Sequence, residues 1–199
     1  MSEHYFSADP TSPFERIPVQ AQVWGRTLEL TSGSGVFARG RLDVGTGVLF
    51  RETEPPAGGT LLDLGCGYGV IGLALAASVP NATVWGVDVN ERALALANEN
   101  ADALGLSHRF RTASPDVVPA DLTFDEIWSN PPIRIGKQAL HDLLRTWLPR
   151  LSPGGRAVMV VAKNLGADSL QRWLGEQGYP TTRLGSAKGF RVLESRRAG

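Results

Sequence analysis

The stretch Leu61-Leu-Asp-Leu-Gly-Cys-Gly-Tyr-Gly69-Val-Ile-Gly-Leu-Ala-Leu-Ala-Ala-Ser78 decides the fold. Leu61–Leu64 is an apolar run of strand length, and Val70–Ser78 reads as a helix that Pro80 closes. Between them, Asp63 to Gly69 carries glycine at alternate positions, where the backbone can turn sharply and a ligand can approach without meeting a Cβ. Leu61 to Val79 is apolar enough to raise the question of a membrane span. Asp63 near one end and Gly65, Gly67, Gly69 and Gly72 within it fit a strand, a loop and a helix much better.

Working outward, Thr83–Val87 is the next strand, and Asn90 caps a helix over Glu91–Leu104 whose inner face is Leu94, Ala97, Ala101 and Leu104. Arg109–Thr112 and Glu126–Ser129 are shorter strands, and Gly136–Leu148 is a helix. Leu151-Ser-Pro-Gly-Gly155 reads as a turn, Ala157–Ala162 as a buried strand and Ala167–Glu176 as a helix. Thr181–Leu184 and Phe190–Glu194 close the chain as an antiparallel pair. This alternation predicts an α/β fold: a Rossmann-like, seven-stranded sheet with helices on both faces and ligands at the carboxyl ends of its strands. Upstream of a Pro- and Gly-rich seam at Glu52 to Gly59, Val19–Trp24 and Thr27–Thr31 alternate as a β-hairpin turning at Gly25-Arg26. The expected organisation is one domain over 1–199, with a hairpin and helix extension at 1–56 and the core at 57–199.

Composition narrows the function. The 199 residues are 42% hydrophobic and 20% charged, enough for a core and against wholesale disorder. Lys+Arg and Asp+Glu balance at 20 each, which excludes a uniformly basic nucleic-acid coat but not a local patch. The single cysteine, Cys66, excludes a disulfide framework and a multi-cysteine metal site, and His4, His108 and His141 lack metal-ligand spacing. No membrane segment or export signal is read at Met1 to Pro10, so a cytoplasmic, metal-free protein is expected.

Two further features carry chemistry. Asp88 ends the strand after the glycine loop, 19 residues beyond Gly69, where a carboxylate can accept both hydroxyls of a ribose. The loop departs from a dinucleotide fingerprint: its third glycine comes one residue early, and Val70 stands where that pattern has glycine. Asp63 is poorly placed to meet a pyrophosphate but suits the cationic methionine end of S-adenosylmethionine. Cys66 reads as a small wall residue, because no neighbour in sequence would activate its thiol. The second feature is Ser129-Asn-Pro-Pro-Ile133, at the end of the fourth core strand. Two prolines stiffen that corner and cannot continue a ladder. The Asn130 side-chain oxygen and the Pro131 carbonyl could hold the two hydrogens of an aromatic amine and aim its lone pair at a methyl donor.

With these motifs the chain resembles the amino-group branch of class I methyltransferases, and is most similar to the small-subunit ribosomal RNA guanine-N2 methyltransferase family in a short, single-domain form. The likeness also runs through His4-Tyr-Phe6, Gly35-Val-Phe-Ala-Arg39, Asp43-x-Gly-Thr46 and Asn130-Pro-Pro-Ile-Arg-x-Gly-Lys137. It implies that Asp63, Gly65, Cys66, Gly67, Tyr68, Gly69, Asp88 and Val89 hold S-adenosylmethionine, with Thr46, Ala113, Ser114 and Asn130 completing the pocket. It implies that Asn130, Pro131, Pro132 and Ile133 engage the base as the catalytic tetrad. Arg134 and Lys137, which follow it, read either as phosphate contacts at the entry to the substrate site or as solvated charge at a helix start, and Phe37 and Arg39 as residues that close over the substrate, with a place in the core as the alternative for Phe37. The long family members carry a degenerate extra domain for which this chain has no room. Where the family often has Asp or Asn near the adenine, this chain reads Ala113-Ser114. Ile133 stands where adenine-N6 and glutamine-N5 enzymes place Tyr or Phe, which points to guanine N2. The expected partner is ribosomal RNA or the small ribosomal subunit, with monomer or dimer left undetermined. Protein glutamine or adenine N6 methylation, and a non-enzymatic RNA-binding module, are the competing functions. Arg183, Lys188, Arg191, Arg196 and Arg197 form a basic tail that reads as a solvated end, with RNA contact as its alternative.

Overall fold

A computed structural model describes residues 15–34, 41–131 and 136–197. Strands β1 (Arg16–Val23) and β2 (Arg26–Gly33) form an antiparallel hairpin, followed by helix α1 (Val44–Arg51). The core then runs β3 (Gly59–Leu64), α2 (Val70–Ser78), β4 (Ala82–Val87), α3 (Glu91–Ala103), β5 (Phe110–Ala113) and β6 (Phe124–Ser129). It continues through α4 (Lys137–Trp147), β7 (Leu151–Ala162), α5 (Ala167–Glu176), β8 (Thr181–Ala187) and β9 (Phe190–Arg196). Seven strands make one sheet in the order β5-β4-β3-β6-β7-β9-β8. All of its pairings are parallel except those of β9, which runs antiparallel to both neighbours. The α/β fold is therefore the expected Rossmann-like one, including its antiparallel end.

The period-two reading of β3 explains the layers. Leu61 belongs to a core shared with the hairpin, α1, α2 and α3, whereas Leu62 and Leu64 join α4 and α5 on the opposite face. β3 lies between β4 and β6, so the order of connection reverses beside it, and this is where open α/β sheets bind ligands.

Three expectations shift. The hairpin turns at Trp24-Gly25, not Gly25-Arg26, because Arg26 pairs with Val23. Both turn residues have positive φ, 45° and 74°, as a two-residue hairpin turn requires. Trp24 tolerates this conformation because its ring packs edge-on to Phe50 and Trp128 and its Nε1 donates to Thr53 O at 2.8 Å. The turn at Leu151 to Gly155 lies inside β7, where the register jumps from Phe124↔Leu151 to Glu126↔Arg156. The inner face of α3 is Ala93, Leu96, Ala97, Asn100 and Ala101, leaving Leu94 and Leu104 at its margin.

That rotation gives Asn100 a structural task. Its Oδ1 accepts from Thr31 N at 2.7 Å, and its Nδ2 donates to Thr31 O and Tyr68 O, each at 2.9 Å. Thr31 faces Pro18 in a non-hydrogen-bonded pair, counted from the Val23↔Arg26 turn pair, so the N–H and C=O of Thr31 both point outward to α3 and the N–H that Pro18 lacks is not needed. One carboxamide thus ties the hairpin to the glycine loop. Asn100→Ala strands these backbone groups and should lower stability by about 1–3 kcal/mol. Hydrogen exchange should locate the loosening in the hairpin and residues 65–69. An Asn100→Ala protein as stable as the parent would contradict this role.

Candidate active site

The ends of β3, β4 and β6 converge on one edge of the sheet. At the end of β3, Gly65 N and Cys66 N both donate to Val87 O, at 2.8 and 3.0 Å, and Gly69 N donates to Cys66 O at 2.9 Å. The loop needs its glycines: Gly65, Gly67 and Gly69 have φ of 73°, 55° and 89°. Asp88, at the end of β4, braces the loop. Its Oδ2 accepts from Gly67 N and its Oδ1 from Asn90 N, both at 2.9 Å, while each oxygen retains capacity to accept from a ligand. Its own N–H donates to Ala113 O at 3.3 Å, which brings Ala113 and Ser114 alongside. Val89 is half exposed on the same edge.

Beneath the loop two buried polar atoms lack partners among the described residues. Asp63 is fully buried; its Oδ2 accepts from Gly72 N at 2.7 Å, but its Oδ1 has no hydrogen-bond partner among the described residues. Burial is the main reason its carboxyl is pushed up to about 7, with the Asp88 charge adding to it and the Gly72 bond opposing it. The Tyr68 hydroxyl is likewise buried and unpartnered, and burial followed by the Asp43 charge pushes its ionisation upward. An acceptor and a donor are therefore both left open. A group carrying a cation and an anion together, such as the ammonium and carboxylate of an amino acid, fits that set. Cys66 is no nucleophile: burial, then the Asp63 and Asp88 charges, hold its thiol well above the usual range.

At the end of β6 the geometry concerns one carboxamide. Ser129 is fully buried and its Oγ donates to Leu64 O at 2.7 Å, clamping the ends of β6 and β3 together. The next residue, Asn130, donates through Nδ2 to Asp43 Oδ2 at 2.8 Å and Thr46 Oγ1 at 3.0 Å. A carboxylate can only accept, so the amide nitrogen must face Asp43 and the oxygen must face the other way. Asp43 Oδ2 is fixed in turn as the N-cap of α1, accepting from Thr46 N at 3.0 Å. Gly45 completes the packing: a Cβ there would lie 2.8 Å from Phe190 Cε1. The result is an acceptor whose orientation is set before any substrate arrives.

Thr46, expected at the cofactor, is thus found at Asn130. Asp43 stands in the sequence only as part of Asp43-x-Gly-Thr46, and its role in orienting the amide is not legible there. The available signal was its spacing from Thr46, which is that of a helix cap. Pro131 is buried next to Asn130, and Lys137 is the exposed first residue of α4. Pro132, Ile133, Arg134, Phe37 and Arg39 lie outside the described residues, as do His4 to Phe6 and Gly35 to Arg39 as a whole. Most of the basic tail is engaged internally. Arg191 is ion-paired with Asp168, Arg196 Nε bonds Glu194 Oε1 at 2.8 Å, and Arg197 donates to the Leu151 and Pro149 carbonyls. Arg183 and Lys188 are exposed.

A mostly parallel sheet that carries a glycine loop, a carboxylate with free acceptor capacity and an oriented carboxamide on neighbouring strand ends defines a Rossmann-like protein with a candidate ligand site at that edge. The chain belongs to the methyltransferase small domain family, whose model matches residues 27–194. It is 34% identical over 201 residues to YbxB of Bacillus subtilis (strain 168), a protein named as uncharacterized, covering 99% of this chain and all of that one. It is 35% identical over 177 residues to ribosomal RNA small subunit methyltransferase C of Pseudomonas aeruginosa (strain LESB58), covering 86% of this chain. The chain spans about half the length of that relative, 52%. Among solved structures, the T. thermophilus 16S rRNA N2 G1207 methyltransferase (RsmC) in complex with AdoMet and guanosine superposes with a TM-score of 0.78. It shares 23% identity, with 94% of this chain and 51% of that one covered. The resemblance read in the sequence holds. Among the described residues, no helix is long and apolar enough to cross a membrane.

Proposed function

We propose that this protein transfers a methyl group from S-adenosylmethionine to the exocyclic amine, N2, of a guanine in small-subunit ribosomal RNA, acting in the cytoplasm as a single domain. The observation that carries the reading is the Asn130 amide, whose nitrogen is held by Asp43 and Thr46 so that its oxygen is left to accept. When bound, the cofactor supplies an electrophilic methyl on a sulfonium.

The chain's residues do the rest. Asp63 Oδ1 would take the cofactor's ammonium, the Tyr68 hydroxyl would donate to its carboxylate and Asp88 would accept from its ribose. Val89, Ala113 and Ser114 line the adenine end, and the backbone of Gly65 to Gly69 allows close approach. Asn130 Oδ1 and the Pro131 carbonyl accept the two N–H bonds of the guanine amine. This turns the nitrogen lone pair from the ring towards the methyl and stabilises the positive charge that grows on nitrogen. The methylated nitrogen is acidic at that point and gives its extra proton to water, so no strong base is needed. Pro132 and Ile133 would complete the wall beside the base. A paired guanine cannot present N2 to this edge, so the substrate is an unpaired or extruded nucleotide.

The test is incubation with methyl-labelled cofactor and small ribosomal subunits or release factors, followed by digestion and mass spectrometry. Label in N2-methylguanosine is expected. Label in glutamine or N6-methyladenosine, or none in either substrate, would overturn the assignment.

A pH dependence follows from Asp63. Its carboxyl, raised to about 7 mainly by burial, binds the ammonium only when ionised, so cofactor affinity should climb as pH rises from 6 to 8. The linkage runs the other way for the ligand-free protein. A carboxyl raised in the folded state stabilises most at low pH, and that contribution is lost as pH rises through about 7. Calorimetric titration of parent and Asp63→Asn across this range should show the slope only in the parent. Equal slopes would place the titrating group elsewhere.

A further inference from the structure

On the same edge of the sheet, between the start of α4 and the start of α5, lies a cavity of about 340 Å³. This is the size of a small-molecule pocket. It contains none of the glycine-loop residues and neither Asn130, Asp43 nor Thr46. Its place is fixed by register. Met159 of β7 pairs with Ser129 of β6, so the end of β7 lies beside the end of β6; Val161, two residues on, faces the α4 and α5 layer, while α1 holds the Asn130 side chain on the other face of the same edge.

The lining is of two kinds. Leu140, Val161 and Leu170 give apolar walls, and His141 and Asn164 give polar groups. His141 is only 7% exposed, and one face of its ring lies flat on Trp173, with centroids 3.7 Å apart and planes within 10°. Its ring nitrogens have no hydrogen-bond partner among the described residues. Asn164 is exposed, with a carboxamide that can both give and accept. Apolar walls with an unspent imidazole and a carboxamide suit a flat heterocycle with polar edges. The charge at the mouth has one sign: Lys137 lines the cavity, and exposed Lys163 begins the turn that contains Asn164. Leu165 stands half exposed on the rim.

We propose that this cavity is a second nucleotide pocket, which takes a base neighbouring the target guanine on the same RNA strand and seats the adjoining phosphate against Lys137 and Lys163. The inference rests on the RNA-methylating reading and deepens it. Recognition of single-stranded RNA proceeds by splaying bases into separate pockets, and a neighbour held on the α4 and α5 side of the edge anchors a strand that crosses it, which keeps the target guanine over Asn130. Part of the choice of target thereby moves from the guanine to the base beside it.

The test uses Asn164→Ala and Leu165→Glu, both at exposed positions. Each is compared with the parent for melting temperature, cofactor affinity, and binding and methylation of a single-stranded ribosomal RNA oligonucleotide. The expected result is a loss of RNA affinity and a rise in KM of about tenfold, the scale of losing one held base. Cofactor affinity and melting temperature should stay unchanged. Adenosine and uridine monophosphates and inorganic phosphate serve as separate probes, and they should bind far more weakly than the oligonucleotide. If the parent methylates RNA and both variants match it, the pocket proposal fails while the function stands. If the parent neither binds nor methylates RNA, the functional reading fails and takes the pocket with it. A free mononucleotide that binds as tightly as the oligonucleotide would make the cavity an effector site and overturn the proposal.

Discussion

Asn130→Ala should leave cofactor affinity near that of the parent and cut methyl transfer by about a hundredfold or more, the usual scale for removing one preorganised polar group from a transition state. Measured kcat should fall far more than KM rises, because the acceptor matters most once positive charge has grown on the amine. The Asp43 and Thr46 contacts sharpen the prediction. Asn130→Asp keeps acceptor oxygens but sets one carboxylate where the amide nitrogen now sits 2.8 Å from Asp43 Oδ2, so it should also be inactive. Pairing Asn130→Asp with Asp43→Asn restores a donor facing an acceptor and should recover part of the rate. Turnover by Asn130→Ala close to that of the parent would show that the amine is held by something else.

The largest effect on stability is expected at Gly72, in α2. A Cβ there would lie 2.4 Å from Phe110 Cε2 and 3.1 Å from Asp63 Oδ2. The same ring presses on β4, where a Cβ at Gly86 would lie 2.6 Å from Phe110 Cζ. Phe110 therefore fills the space that two glycines leave, and α2 is drawn down close enough for Gly72 N to bond Asp63. Gly72→Val should cost about 3 kcal/mol by overpacking. At this chain length that lowers the melting temperature by about 6–12 °C. It should also weaken cofactor binding by displacing Asp63. Adding Phe110→Leu should recover part of the stability. A melting temperature for Gly72→Val within a degree or two of the parent would refute the packing account.

The core was legible because its signals are local. Val70–Ser78 and Ala167–Glu176 were read at the limits found, since apolar composition and flanking Gly or Pro fix both ends of each helix. Asp63 is legible at the end of an apolar strand, and Asp88 and Asn130 because each directly follows one; the alternation of elements places all three ends on one edge.

What was missed depends on contacts distant in sequence. Trp24 in a left-handed turn makes sense only beside Phe50 and Trp128, and Asn100 on the inner face of α3 only beside Thr31. Asp43 is separated from Asn130 by 87 positions, and no local pattern says that its carboxylate sets the direction of that amide. The basic tail is legible only in part for a related reason. Arg183, Lys188 and Arg196 are exposed as a solvated end should be, but Arg191 is buried against Asp168 and Arg197 bonds the Leu151 carbonyl, partners 23 and 46 positions away.

The most direct test is a crystal structure of the protein with S-adenosylhomocysteine and guanosine bound. The account predicts Asn130 Oδ1 and the Pro131 carbonyl at hydrogen-bond distance, about 2.9 Å, from guanine N2. The Asn130 amide nitrogen should still be on Asp43, and the sulfur should lie on the far side of N2 from the ring. A guanosine bound elsewhere, or an Asn130 amide turned with its nitrogen towards the base, would contradict it.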